Sequence, residues 1–212
     1  MADHAPMDEF EWEEFMKRSD AMADRFSELL EKYWDLPDRD ERIAKEMGWT
    51  LVKDEGFPEF IELTDEEYAE EMKDLERLSD EEAANLPCED VLEKNSFAFA
   101  VDFMHWLDHA PEPLRSDADL LIAAQSATVP GAKIASAVGF GNEGKMELGF
   151  RIALYKRAIA AVNVVIDVFA RMREKGTFVE EEMAVFAQRI SQLRIDIAER
   201  IIETREKFNA EP

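Results

Sequence analysis

The chain has a single cysteine, Cys88, so it can form no internal disulfide and no thiolate-rich metal cluster. Lack of disulfides fits a reducing compartment. Histidine is nearly as scarce, with only His4, His105 and His109. Positive charge is also in deficit: 25 Lys and Arg stand against 49 Asp and Glu, a net charge of −24. A surface of that sign repels phosphate backbones, which makes direct nucleic-acid binding unfavourable. Long apolar runs are missing too. The longest uncharged stretch near the middle, Leu120 to Ala132, is too short to span a bilayer and contains Pro130. The N-terminus, MADHAPMDEFEWEEF, has neither the basic start nor the apolar centre of a secretory signal. These absences predict a soluble, cytoplasmic protein with no membrane segment.

Signatures of catalysis are equally sparse. There is no G-x-S-x-G elbow, and no basic and aromatic interleaving of the kind that binds nucleic acid. The pairs Glu13-Glu14, Glu66-Glu67 and Glu81-Glu82 invite comparison with Mg²⁺-dependent all-α nucleotide pyrophosphatases. The spacing that would need, E-x-x-E followed by E-x-x-D, is not found, and the pairs read as solvated helix starts.

What is present is helix, and its centre is Met146 to Lys175. Within it, Leu154, Ala158, Ala161, Val162, Val165, Val168, Phe169 and Met172 share one broad face, widened by Ile159, Val164 and Ile166. Lys156, Asn163, Asp167 and Glu174 lie opposite. A helix over 178–209 has a matching seam of Val179, Met183, Phe186, Ile190, Leu193, Ile197, Ile201 and Phe208, interrupted by Thr204. Gly176 ends the first of these helices, and Thr177 with Glu180 caps the second.

Further helices are expected at 89–109 and 117–138, the latter opened by Ser116 with Asp119 and kinked or interrupted at Pro130-Gly131. Between them, Ala110-Pro111-Glu112-Pro113 is a strong stop. Upstream, Asp8 with Glu11 starts a helix over 9–35, ended by Leu36-Pro37, and a short helix over 39–47 ends at Gly48. Trp49 to Leu63 breaks the pattern as a small hairpin or packed loop, and two capping boxes open helices at 65–78 and 80–86.

The class is therefore all-α, a helical bundle with a four-helix core at 88–212 and an acidic helical region at 1–87 packed on it. The charge is divided in the same way: residues 1–100 carry 32 acidic and 11 basic side chains, a net −21.

Four places could carry chemistry. Asp102, His105 and His109 fall within one helical face, and an i, i+4 histidine pair plus a carboxylate can supply three ligands to Zn²⁺ or Fe, with Asp167 or Asp196 as a fourth. The competing reading places both histidines at a helix C-terminus, where the dipole favours imidazolium. Gly139 to Met146, GFGNEGKM, contains both G-x-G-x-x-G and G-x-x-x-x-G-K. Both phosphate-binding motifs need a preceding strand, and KIASAV reads as a helix end, so a helix cap and turn is the alternative. Asn163 with Asp167 is either a buried polar pair or the solvent stripe of its helix. Cys88 follows a proline at a helix start, which lowers a thiol's pKa, but no histidine is near it in sequence.

Ala132 to Leu154, AKIASAVGFGNEGKMELGFRIAL, also resembles a family of small four-helix bundles encoded by 23S rRNA intervening sequences. Ile134-Ala135, Gly139-Phe140-Gly141, Lys145, Glu147, Phe150 and Ile152-Ala153 stand where that family has its N-I-A-E-G-x-G-R and S-x-K-E-F segments and its I-A pair. Ala137 or Val138 stands in place of the family's Glu, and Asn142 in place of its Arg. The resemblance covers about 115–209 and implies a four-helix bundle that self-associates, with no catalytic residue.

The reading these features support is a non-catalytic interaction protein that self-associates or binds a basic protein partner. Its alternative is a metal-binding bundle enzyme using Asp102, His105 and His109.

Overall fold

A computed structural model describes residues 7–50, 90–139, 144–176 and 180–211, and every regular element among them is a helix. They are α1 (Glu9–Tyr33), α2 (Arg39–Met47), α3 (Val91–His109), α4 (Glu112–Arg115), α5 (Ala118–Gly139), α6 (Lys145–Lys175) and α7 (Glu180–Ala210). No helix among the described residues is long and apolar enough to cross a membrane. The chain forms two compact units, one of Met1–Phe15 with Cys88–Pro212 and one of Met16–Pro87. The expected hairpin or loop after Trp49, the helices at 65–78 and 80–86, Cys88, the centre of the glycine-rich connection and the Thr177 cap lie outside the described residues.

The first unit is a four-helix bundle in which α3 packs on α5, α5 on α6, α6 on α7, and α7 back on α3. Its interior follows the sequence pattern. Ala158, Val162, Val165, Val168 and Met172 of α6 are buried, as are Met183, Phe186, Ile190, Leu193, Ile197 and Ile201 of α7. Aromatic rings fill the space between α3, α6 and α7: Phe103 meets Phe169 and Phe186 edge-on, both at 5.4 Å between centroids. Each fully buried side chain of this size contributes about 1.5–3 kcal/mol of hydrophobic stabilisation. Thr204, the one polar residue in the α7 row, is also buried; its hydroxyl donates to the Arg200 carbonyl at 2.7 Å and so enters the core satisfied.

Local signals explain the helix ends. Asp8 and Glu11 form a reciprocal capping box: Glu11 N–H donates to Asp8 at 2.9 Å, and Asp8 N–H donates to Glu11 at 2.9 Å. Gly48 and Gly176 end α2 and α6 at φ +70° and +66°, the left-handed region that a Cβ disfavours. One expectation is corrected. The cap of α5 is Asp117, which accepts from Asp119 and Leu120 N–H, while the Ser116 hydroxyl donates to the Glu112 carbonyl. The Ala110–Pro113 stop does end α3 at His109, and Pro111 leads straight into the four-residue α4.

Helix α5 continues past Pro130, which is buried along with Gly131. A side chain at Gly131 is excluded by packing: its Cβ would lie 2.9 Å from the Phe97 ring of α3. That close approach of α3 and α5 positions the surface described below.

In the second unit, α2 caps the later part of α1. Leu29, Ile43 and Ala44 are buried, and Trp49 stacks on Phe26 at 5.7 Å. Glu46 accepts from Tyr33, Lys32 and Arg25, and hydrogen bonding from Tyr33 and then Lys32 holds its carboxyl below the ordinary range.

Candidate functional site

Asp102, His105 and His109 all lie on α3, as their spacing requires. The two imidazoles are close, with centroids 4.3 Å apart, and His109 Nδ1 lies 2.8 Å from the His105 carbonyl. Both rings are exposed. Asp102 is engaged elsewhere, in a 2.8 Å ion pair with Arg189 of α7, and it too is exposed. Among the described residues, no group of three or more His, Cys, Asp or Glu side chains is arranged to hold a metal ion. Of the two suggested fourth ligands, Asp167 is exposed and Asp196 accepts from Gln192 at 2.7 Å on its own helix.

The residues before the glycine-rich motif are the last turns of α5, so no strand precedes it. Lys145, its would-be phosphate ligand, donates instead to the Glu211 carbonyl at 3.1 Å and stands over the Phe208 ring. Asn163 is half-buried and Asp167 exposed, as a narrow outer stripe requires.

Sequence reasoning passed over the polar ties between helices. Asp90 caps α3, accepting from Leu92 and Glu93 N–H at 2.9 and 3.2 Å, and receives Arg200 of α7 at 2.8 Å. Burial pushes its carboxyl upward, but the Arg200 and backbone hydrogen bonds outweigh this and hold it below the ordinary range. Asp119 at the start of α5 accepts from Arg171 at 2.8 Å and Lys175 at 2.6 Å at the end of α6, and these bonds lower its pKa. The signal for Asp90 was an Asp immediately before a helical run. For Asp119 only the fold brings the partners together.

Residues 7–15 dock on α6 and α7. Trp12 packs on Phe150 at 4.6 Å and its indole N–H donates to the Met146 carbonyl at 3.1 Å. Glu9 pairs with Arg205 at 3.0 Å and Glu13 with Arg157 at 3.5 Å. Gly149 permits this approach, since a Cβ there would lie 2.6 Å from the Met7 carbonyl oxygen. Arg151 and Tyr155, outside the apolar face read from the sequence, are buried as well.

Two grooves flank α7. One of about 400 Å³ runs between α6 and α7, lined by Phe169, Ala170, Met183 and Ile190 with Arg173 at its edge. The other, about 240 Å³, lies between α3 and α7 over Phe99, with Arg189 and Asp196 on its rim. Neither gathers nucleophile, base and anion-stabilising donors together.

The outer surface of α3 and α5 is of a different kind. Across its 22 residues α5 carries only two charges, Asp119 and Lys133, and Leu120 to Ala132 has none. Leu121 and Ile122 are 50% and 46% exposed, and on α3, which packs on α5, Val101 and Met104 are 64% and 44% exposed. Large apolar side chains left exposed on an uncharged stretch of so acidic a chain mark a place where protein meets protein.

The chain matches no protein-family model, and no curated protein or solved structure is significantly similar to it.

Proposed function

We propose that this chain is a non-catalytic helical-bundle interaction protein that works through self-association or by binding another protein. The observation that carries the reading is the outer face of α5, uncharged from Leu120 to Ala132, where Leu121 and Ile122 stand exposed. The excess of 21 negative charges in residues 1–100 supports a basic protein as partner elsewhere on the chain, through steering and complementarity. The resemblance of 115–209 to self-associating four-helix bundles points the same way.

A photo-crosslinking side chain placed at Leu121, with Glu199 on the exposed side of α7 as the comparison, tests the proposal in extract of the producing cell. Protein adducts from Leu121 that greatly exceed those from Glu199 are expected. Equal and low yields at both positions would remove the reading.

The metal-binding alternative rests on the closeness of His105 and His109. Protein purified without a histidine tag and supplemented with Zn²⁺ or Fe²⁺ decides it. Retention below about 0.2 equivalents would eliminate a dedicated site.

A further inference from the structure

We infer that the partner of the α5 face is a second copy of this chain, docked so that the two α5 helices cross antiparallel about a two-fold axis. The inference rests on the interaction reading above and adds the identity and geometry of the partner.

Charge is the first argument. Two chains of net charge −24 repel one another wherever their acidic surfaces approach. They can meet at low electrostatic cost only on a face without charge, and Leu120 to Ala132 provides thirteen consecutive uncharged residues. A basic partner would gain nothing from such a face and would choose the acidic ones.

The second argument is self-complementarity. A two-fold interface sets the same patch on both subunits against itself, so residue i meets j and j meets i. The outward row of α5 is Leu121, Gln125, Thr128 and Ala132, all exposed. It is arranged symmetrically about the midpoint between Ser126 and Ala127. An antiparallel crossing there sets Leu121 against the partner's Ala132, large against small, at both ends. It sets Gln125 against the partner's Thr128 at the centre, amide against hydroxyl. Thr128 already donates to the Gln125 carbonyl at 2.8 Å, leaving its oxygen able to accept from the opposing amide. Small side chains at Thr128 and Ala132 let the helices approach closely.

Sedimentation equilibrium on the full chain tests this, with circular dichroism to confirm that each variant is folded. The wild type should show a concentration-dependent mass reaching twice the 24.4 kDa of one chain. Gln125→Glu with Thr128→Glu places four carboxylates at the axis and should raise the dimer dissociation constant at least about tenfold. Gln125→Lys with Thr128→Glu restores opposite charges across the axis in both directions and should recover the dimer. A dimer insensitive to the first pair, or not rescued by the second, overturns the geometry. A wild type that stays monomeric, with Leu121 cross-linked to a different protein, overturns the second copy while the interaction reading stands. Monomer with no cross-link overturns both.

Discussion

Arg200 of α7 donates to Asp90 at 2.8 Å, and the same carboxylate caps the first turn of α3. One side chain thus sets both where α3 begins and how α3 sits against α7. Asp90→Ala should therefore remove a cap and leave a partly buried guanidinium without that partner, lowering stability by about 1–3 kcal/mol. Asp90→Asn retains the capping oxygen and should cost less. Urea denaturation of both variants, with unchanged m-values, gives the comparison.

The N-terminal contact depends on a missing side chain. In an ordinary helix, Gly→Ala stabilises by about 1 kcal/mol. At Gly149 the sign should reverse, because the new methyl would lie 2.6 Å from the backbone oxygen of Met7, which cannot rotate out of the way. Gly149→Ala is expected to release residues 7–15 and lower stability by about 1–2 kcal/mol. Its signature is loss of exchange protection at the Trp12 indole N–H, which is hydrogen-bonded to the Met146 carbonyl. Trp12→Phe, which keeps an aromatic ring against Phe150, should be milder, at about 0.5–1.5 kcal/mol.

Acid should dissolve the tie between α5 and α6. Hydrogen bonds from Arg171 and then Lys175 hold the Asp119 carboxyl below its unfolded value. A depressed carboxylate pKa contributes stability above the unfolded pKa of about 4, and that contribution disappears as pH falls through the lower folded value. The difference in melting temperature between wild type and Asp119→Asn should therefore be present near neutral pH and vanish in strong acid. As the pair is solvent-exposed, the difference should also shrink in high salt. A difference that persists at low pH would show that packing, not charge, is responsible.

Periodicity made the bundle legible, because burial on one face is a local property of each helix. Ala158, Val162, Val165 and Met172 could be placed inside from spacing alone, as could the α7 row through Ile201. The caps at Asp8, Gly48 and Gly176 were readable for the same reason. The docking of residues 7–15 on α6 was not, since it joins Met7 and Trp12 to Gly149 and Met146, more than a hundred positions away. Pro130 misled in part: its missing N–H costs one helical bond, but packing of Pro130 and Gly131 beneath α3 carries α5 through.

The candidate site divides similarly. Spacing correctly brought His105 and His109 side by side, while nothing local reveals that Asp102 turns to Arg189, a residue on another helix. The α5 surface was visible in the sequence only as an uncharged run, Leu120 to Ala132, and read there for what it excluded, a membrane span. Its significance emerges when the fold leaves Leu121 and Ile122 exposed.

The pairing of α5 with a second α5 is tested most directly by disulfide trapping in a Cys88→Ser background. Chains carrying Leu121→Cys and chains carrying Ala132→Cys are mixed and oxidised under mild conditions. The antiparallel two-fold predicts that the mixture cross-links several-fold more than either variant alone, since each cysteine faces the other's position on the neighbouring chain. Efficient trapping of either variant with itself, or no trapping in the mixture at concentrations where the mass is doubled, would contradict it.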